Sequence, residues 1–140
     1  MTKDNDANNG NVMLLACSGA SNVGQLANQA ALELTQEGLG NMSCLAGIGG
    51  KLAGFMKSAK EAPALVVMDG CEVGCAKAIF ADTGVPLRGY LVLTELGIIK
   101  NKDFNLKKDE LDQVKQAARK MADSQEREAI PQAVSCCSCG

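Results

Sequence analysis

The sequence predicts a single-domain α/β fold, a three-layer sandwich with a mostly parallel, Rossmann-like sheet of about four strands. Three observations carry this expectation. Short continuous apolar runs recur along the chain, and segments with helical spacing follow them. Such alternation produces a parallel sheet covered on both faces. The runs end at glycine-containing turns, which punctuate one element from the next. A chain of 140 residues with 46% hydrophobic and 21% charged residues has the length and balance of one globular domain.

Residues 1–11 are polar, rich in Asn and Asp, and are expected to form a disordered N-terminal segment. The domain is expected to span residues 12–124. Its first strand is Val12-Met-Leu-Leu-Ala16, which ends in Cys17-Ser-Gly-Ala-Ser-Asn-Val-Gly24. Ser21 or Asn22 then caps a helix. Val23, Leu26, Ala27, Ala30, Ala31 and Leu34 fall on one face of that helix, at spacings of three and four, and Gly38 and Gly40 close it. Met42-Ser-Cys-Leu-Ala-Gly47 reads as a second, weaker strand. Ile48, Leu52, Phe55 and Met56 mark a helix running to about Lys60.

Pro63 precedes the central strand, Leu65-Val-Val-Met68. Asp69-Gly70 ends it, and a short helix follows from about Gly74 to Asp82. Gly89-Tyr-Leu-Val-Leu-Thr94 is the fourth strand candidate. A last helix runs from Lys107 to about Ser124, capped by Asn105. Asp109 and Glu110 lie near its start, where the helix dipole favours acids. Leu111, Val114, Ala118 and Met121 form its apolar face. Residues 125–140 are expected to be a linker and a cysteine-rich tail containing Cys136, Cys137 and Cys139.

Composition narrows the function. A formal net charge of −2 and 3% aromatic residues argue against nucleic acid as a partner. No run of 18 apolar residues exists, so no membrane-spanning helix is expected. Histidine is absent, which excludes a Ser-His-Asp triad, a Cys-His dyad and imidazole metal ligation. The number of cysteines is seven, an odd count in a chain that opens without an apolar leader-like stretch. A cytoplasmic, reducing location is expected, where clustered thiols serve as metal ligands or redox groups.

Cys17, Cys44 and Cys71 are evenly spaced, about one strand-helix unit apart. Each is expected at or just beyond the C-terminal end of a strand, and those ends share one edge in a parallel sheet. Cys75 joins them from the first turn of a helix. Four thiolates complete a tetrahedral zinc site, and the Cys71-x-x-x-Cys75 gap suits a ligand pair. The same set suits an iron–sulfur cluster. It also suits a dithiol that exchanges with disulfides or carries sulfur as a persulfide. Cys71 or Cys75 is then the nucleophile, and Cys136, Cys137 and Cys139 are resolving thiols. Ser18-Gly-Ala-Ser-Asn-Val-Gly24 lacks the Lys-Ser/Thr of a P-loop and the Gly-x-Gly-x-x-Gly of a dinucleotide site. It reads as a cap and a tight turn beside Cys17. Asp69 reads as a turn former placed near the thiols.

Cys17-Ser-Gly-x-Ser-x-x-Gly24, Cys44 with its nearby glycines, Asp69-Gly-Cys-x-x-x-Cys75 and Leu93-Thr-Glu-Leu-Gly97 together resemble the DGC-domain family. These are small prokaryotic proteins named for the Asp-Gly-Cys motif and described as zinc-binding. The resemblance spans roughly residues 12–123 and implies a metal site on Cys17, Cys44, Cys71 and Cys75. It implies no reaction, and the C-terminal cysteines lie outside its pattern. The expectation is a protein that binds zinc, or another thiophilic metal, in a structural, carrier or sensing role. Thiol redox or persulfide transfer is the alternative.

Overall fold

The computed structural model describes residues 11–137, with side chains described as far as Gln125. Four strands, β1 (Val12–Ala16), β2 (Asn41–Met42), β3 (Ala64–Asp69) and β4 (Tyr90–Val92), form one sheet in the order β2-β1-β3-β4. All three pairings are parallel, with Leu14 opposite Met42, Leu14 opposite Val66, and Val67 opposite Tyr90. The helices are α1 (Asn22–Gln36), α2 (Leu45–Gly49), α3 (Ala53–Glu61), α4 (Cys75–Thr83) and α5 (Lys108–Cys137).

Alternation along the strands builds two cores. Leu14, Val66 and Met68 pack with Val23, Leu26, Ala30 and Leu34 of α1 and with Val114 and Ala118 of α5. Leu15, Leu65 and Val67 point the other way, onto Ile48, Ala59, Ala76 and Phe80 of α2, α3 and α4. β3 is buried at all six positions, as befits a central strand with both faces covered. The apolar face expected for α1 is the buried one, and Ser21 caps that helix by accepting a bond from Gly24 N–H at 3.2 Å.

The region after α1 departs from its pattern. The expected strand Met42–Gly47 shrinks to Asn41–Met42, and Cys44 becomes the N-cap of α2. The cause is packing. A Cβ on Gly47 would lie 2.5 Å from the Phe55 ring, so this glycine lets α2 close on α3 where a strand residue would not fit. The single helix expected from Ile48 to Lys60 is two helices, because Lys51 takes a left-handed φ of 57°. The fourth strand is shorter than expected. Leu93–Leu96 wind into a 3-10 turn, closed by Gly97 at φ 93°. α5 starts at Lys108, past Asn105, and its backbone continues as helix beyond residue 124 to Cys137. Gln125-Glu-Arg-Glu-Ala129 are good helix formers, which explains the extension into the expected linker.

Candidate functional site

The strand order reverses direction between β1 and β3. In an open parallel sheet, a crevice forms at such a point beyond the carboxyl ends of the strands, and ligands bind there. Cys17 follows β1 and Cys71 follows β3. Both line a cleft of about 270 Å³ at this point, and Cys75, the first residue of α4, lines it as well. The rest of the wall includes Gly19, Ser21, Asp69, Gly70, Lys100 and Lys102. A larger groove of about 650 Å³ lies between β1, β2 and α3, but no cysteine lines it.

Two glycines bring β3's exit against α1. A Cβ on Gly70 would sit 2.6 Å from Gly24 N, and one on Gly24 would sit 2.5 Å from Gly19 O. Both contacts are with backbone, so neither position accepts a side chain without a shift. The approach lets Gly70 N–H donate to Cys17 Sγ at 3.4 Å. Burial pushes the Cys17 thiol up. Backbone donors at Gly70 and Gly19 oppose this, while Asp69 and Cys75 add to it.

Asp69 does more than turn the chain. It is 1% exposed. Its carboxylate accepts from Ala76 N–H at 2.9 Å, Lys77 N–H at 3.0 Å and the Tyr90 hydroxyl at 2.6 Å. Gly74, at the start of α4, has φ 72° and no side chain to cap with. Asp69 therefore caps α4 from a distance, satisfying donors that the first helical turn leaves free. Burial and the Asp69 carboxylate push the Tyr90 phenol well above its ordinary range.

A loop from Ile98 to Asp103 forms the remaining wall. Asn22, 5% exposed, holds it at both ends of its amide: Nδ2 donates to Ile99 O at 2.8 Å and Oδ1 accepts from Asn101 N–H at 2.6 Å. The backbone N–H of Asn22 also donates to Asn101 O at 3.0 Å. This tether places Lys100 Nζ 3.3 Å from Cys71 Sγ, and Lys102 Nζ 2.5 Å from Ala20 O.

The four candidate cysteines thus divide. Cys17, Cys71 and Cys75 share the cleft, while Cys44 is exposed and does not line it. Among the described residues no group of three or more Cys, Asp or Glu stands close enough to hold a metal ion. The donor set as placed does not fit a closed four-thiolate zinc site, nor the four-cysteine holding of an iron–sulfur cluster. The ammonium on Cys71 occupies a sulfur lone pair and repels a dication. Cys139 and the side chains of Cys136 and Cys137 lie outside the described residues. The sequence reading missed Lys100 and Lys102, and saw Asn22 only as a cap. The rule that placed the cysteines also applies to the loop after β4, which ends at the same sheet edge.

A short doubly wound sheet with a thiol-lined cleft at its switch point defines a class of small α/β protein. Within it, the chain belongs to the DGC domain family, whose profile matches residues 13–126. A relative, the "Anaerobic and virulence modulator AnvM" of Pseudomonas aeruginosa (strain PAO1), is 40% identical over 88 residues, covering 63% of this chain and 67% of that protein. No solved structure matches the chain. Among the described residues no helix is long and apolar enough to cross a membrane.

Proposed function

We propose that the cleft is a thiol-exchange site with a regulatory role. The observation that carries this is the meeting of Cys17, Cys71 and Cys75 in one cleft, with the Lys100 ammonium on Cys71. Cys75 is the exposed thiol of the cleft, at the first residue of α4, and so the one an incoming disulfide reaches first. It attacks one sulfur of a low-molecular-weight disulfide. The S–S bond breaks and one thiolate leaves, taking up a proton. Cys71 gives up its proton and attacks the Cys75 sulfur of the mixed disulfide, releasing the second thiol. Two protein thiols are oxidised to a disulfide, and the incoming disulfide is reduced to two thiols. Cys17, whose thiol burial disfavours as an anion, is held in reserve. The modulator name of the AnvM relative supports a regulatory reading.

A second reading, a thiophilic metal such as zinc on Cys17, Cys71 and Cys75, is favoured by the shared cleft and by the family resemblance. It needs the sulfurs to close up and Lys100 to swing away. One experiment separates the two. The full chain is purified without oxygen, its metal content measured, and its thiols titrated with 2-hydroxyethyl disulfide before and after chelation. A metal-free protein that forms a Cys71–Cys75 bridge, mapped by peptide mass spectrometry, supports exchange. One zinc per chain, with thiols protected until a chelator is added, overturns exchange in favour of the metal.

A further inference from the structure

Two cations line the thiol cleft, and among the described residues neither has a carboxylate partner. The ion pairs among the described residues involve Lys51, Lys108, Lys115 and Arg119, not Lys100 or Lys102. The cleft's own carboxylate, Asp69, spends both oxygens on Ala76, Lys77 and Tyr90. The loop that carries the two ammoniums is also held in place. Asn22 holds their loop through three bonds, and Lys102 is anchored on Ala20. Positive charge is therefore built into the wall beside Cys71, on a chain whose formal net charge is −2. Lys100 and Lys102 together outweigh the Asp69 carboxylate in the lining, and a net positive wall concentrates anions there.

We propose that the cleft selects small anionic sulfur electrophiles, with Lys100 and Lys102 as the anion seat. The substrate class is a low-molecular-weight disulfide carrying carboxylate or sulfonate groups. This rests on the thiol-exchange reading above and adds the identity of the incoming partner. The cleft volume of about 270 Å³ lies near the lower end of small-molecule sites, which suits a compact electrophile. The charge preference is diagnostic because it runs against opposing effects. The attacking thiolate, the Asp69 carboxylate and the net charge of the chain all repel an anion.

The test uses three disulfides with similar alkyl arms: 3,3′-dithiodipropionate, a dianion; 2-hydroxyethyl disulfide, neutral; and cystamine, a dication. Second-order rates with the reduced full chain are measured at low and high salt. The dianion is expected to react about 10-fold or more faster than the neutral disulfide at low salt. Cystamine is expected to be slowest, and added salt should compress the differences. The double variant Lys100→Ala/Lys102→Ala should lose the preference, read as the ratio of dianion to neutral rates falling to about one whatever its absolute rate with the neutral disulfide. Lys100→Arg should retain it, and Lys57→Ala, a surface control, should change nothing. Equal rates for dianion and neutral probe, or a preference that survives the double variant, overturn the anion seat. They do so while leaving thiol exchange standing. Failure of the neutral disulfide to react defeats the exchange reading itself, and the anion seat with it.

Discussion

Replacing Asp69 with Asn tests the central device of the site, the capping of α4 from the end of β3. The carboxylate meets three donors, two of them backbone N–H groups of the first turn of α4. Asparagine keeps one acceptor oxygen, which can serve Ala76. Its NH₂ then faces Lys77 N–H, donor against donor, while the Tyr90 hydroxyl can rotate to accept. One charge-assisted bond is lost outright in a buried setting and the others weaken. A hydrogen bond to a charged group contributes about 1.5–3 kcal/mol, so Asp69→Asn should cost about 2 kcal/mol. For a domain of this size that lowers Tm by roughly 6–10 °C. Asp69→Ala leaves all three donors unmet and should cost more, about 3–5 kcal/mol. Urea unfolding followed by circular dichroism reads both, with an unchanged m value confirming that the native state is otherwise intact. Cys75 opens the helix that Asp69 caps, so its alkylation rate should change in the same variants. An Asn variant within about 0.5 kcal/mol of the parent, with unaltered Cys75 alkylation, would refute the capping argument.

Two glycines should respond in opposite directions. Gly70→Ala places a methyl 2.6 Å from Gly24 N and should cost about 2 kcal/mol or more by overpacking. Gly54 of α3 has open space where a Cβ would go. Gly54→Ala should therefore stabilise by about 0.5–1 kcal/mol, and both are read by urea midpoints. Lys115, 8% exposed, bonds Glu33 at 2.9 Å and also Glu37, joining α5 to α1. Lys115→Met should lower stability by about 1–2 kcal/mol, read as a Tm loss at pH 7. The pH dependence follows from the shifts. Bonds from Gln29 and Lys115 hold the Glu33 carboxyl below its usual range, so its contribution is present above the ordinary carboxyl pKa and fades as pH falls through the lowered value. Glu37 and Glu33 raise Lys115, so its contribution is present below the ordinary lysine pKa and is lost as pH climbs through the raised one. The Tm difference between parent and Lys115→Met should therefore shrink at both extremes. A constant difference across pH would refute this.

Much of the fold was legible because burial on both faces writes long apolar runs. β1, β3 and the apolar stripe of α1 are of this kind. Residues 42–60 were misread because their helices depend on glycines whose role is close approach. Gly47 meets the Phe55 ring, and Lys51 breaks the helical run with a left-handed turn. No local pattern records the partner that such a glycine must admit. The thiol edge was legible from topology alone, since cysteines at strand ends of a parallel sheet share one side. Cys44 escaped that rule because its strand ended at Met42 and left it as a helix cap. The same rule reaches the loop after β4, but that Lys100 and Lys102 face the cleft depends on a long-range tether to Asn22.

The Asp-Gly-Cys triplet is one mechanical unit, and its order is dictated by geometry. Asp69 is the last residue of β3, still within the sheet, so its side chain reaches the start of α4 and the Tyr90 hydroxyl on the neighbouring strand. The next residue must pass α1 at backbone contact distance, which Gly70 alone permits. That passage places Gly70 N–H on Cys17 and delivers Cys71 to the Lys100 ammonium. A side chain at the middle position would push the strand exit away from α1. It would separate Cys17 from Cys71 without touching either sulfur. The serine and glycines of the Cys17–Gly24 segment are the other half of the same contact, since Ser21 caps Gly24 and Gly24 meets Gly19. The two motifs are therefore coupled by contact, and a change in one should be rescued only by a compensating change in the other.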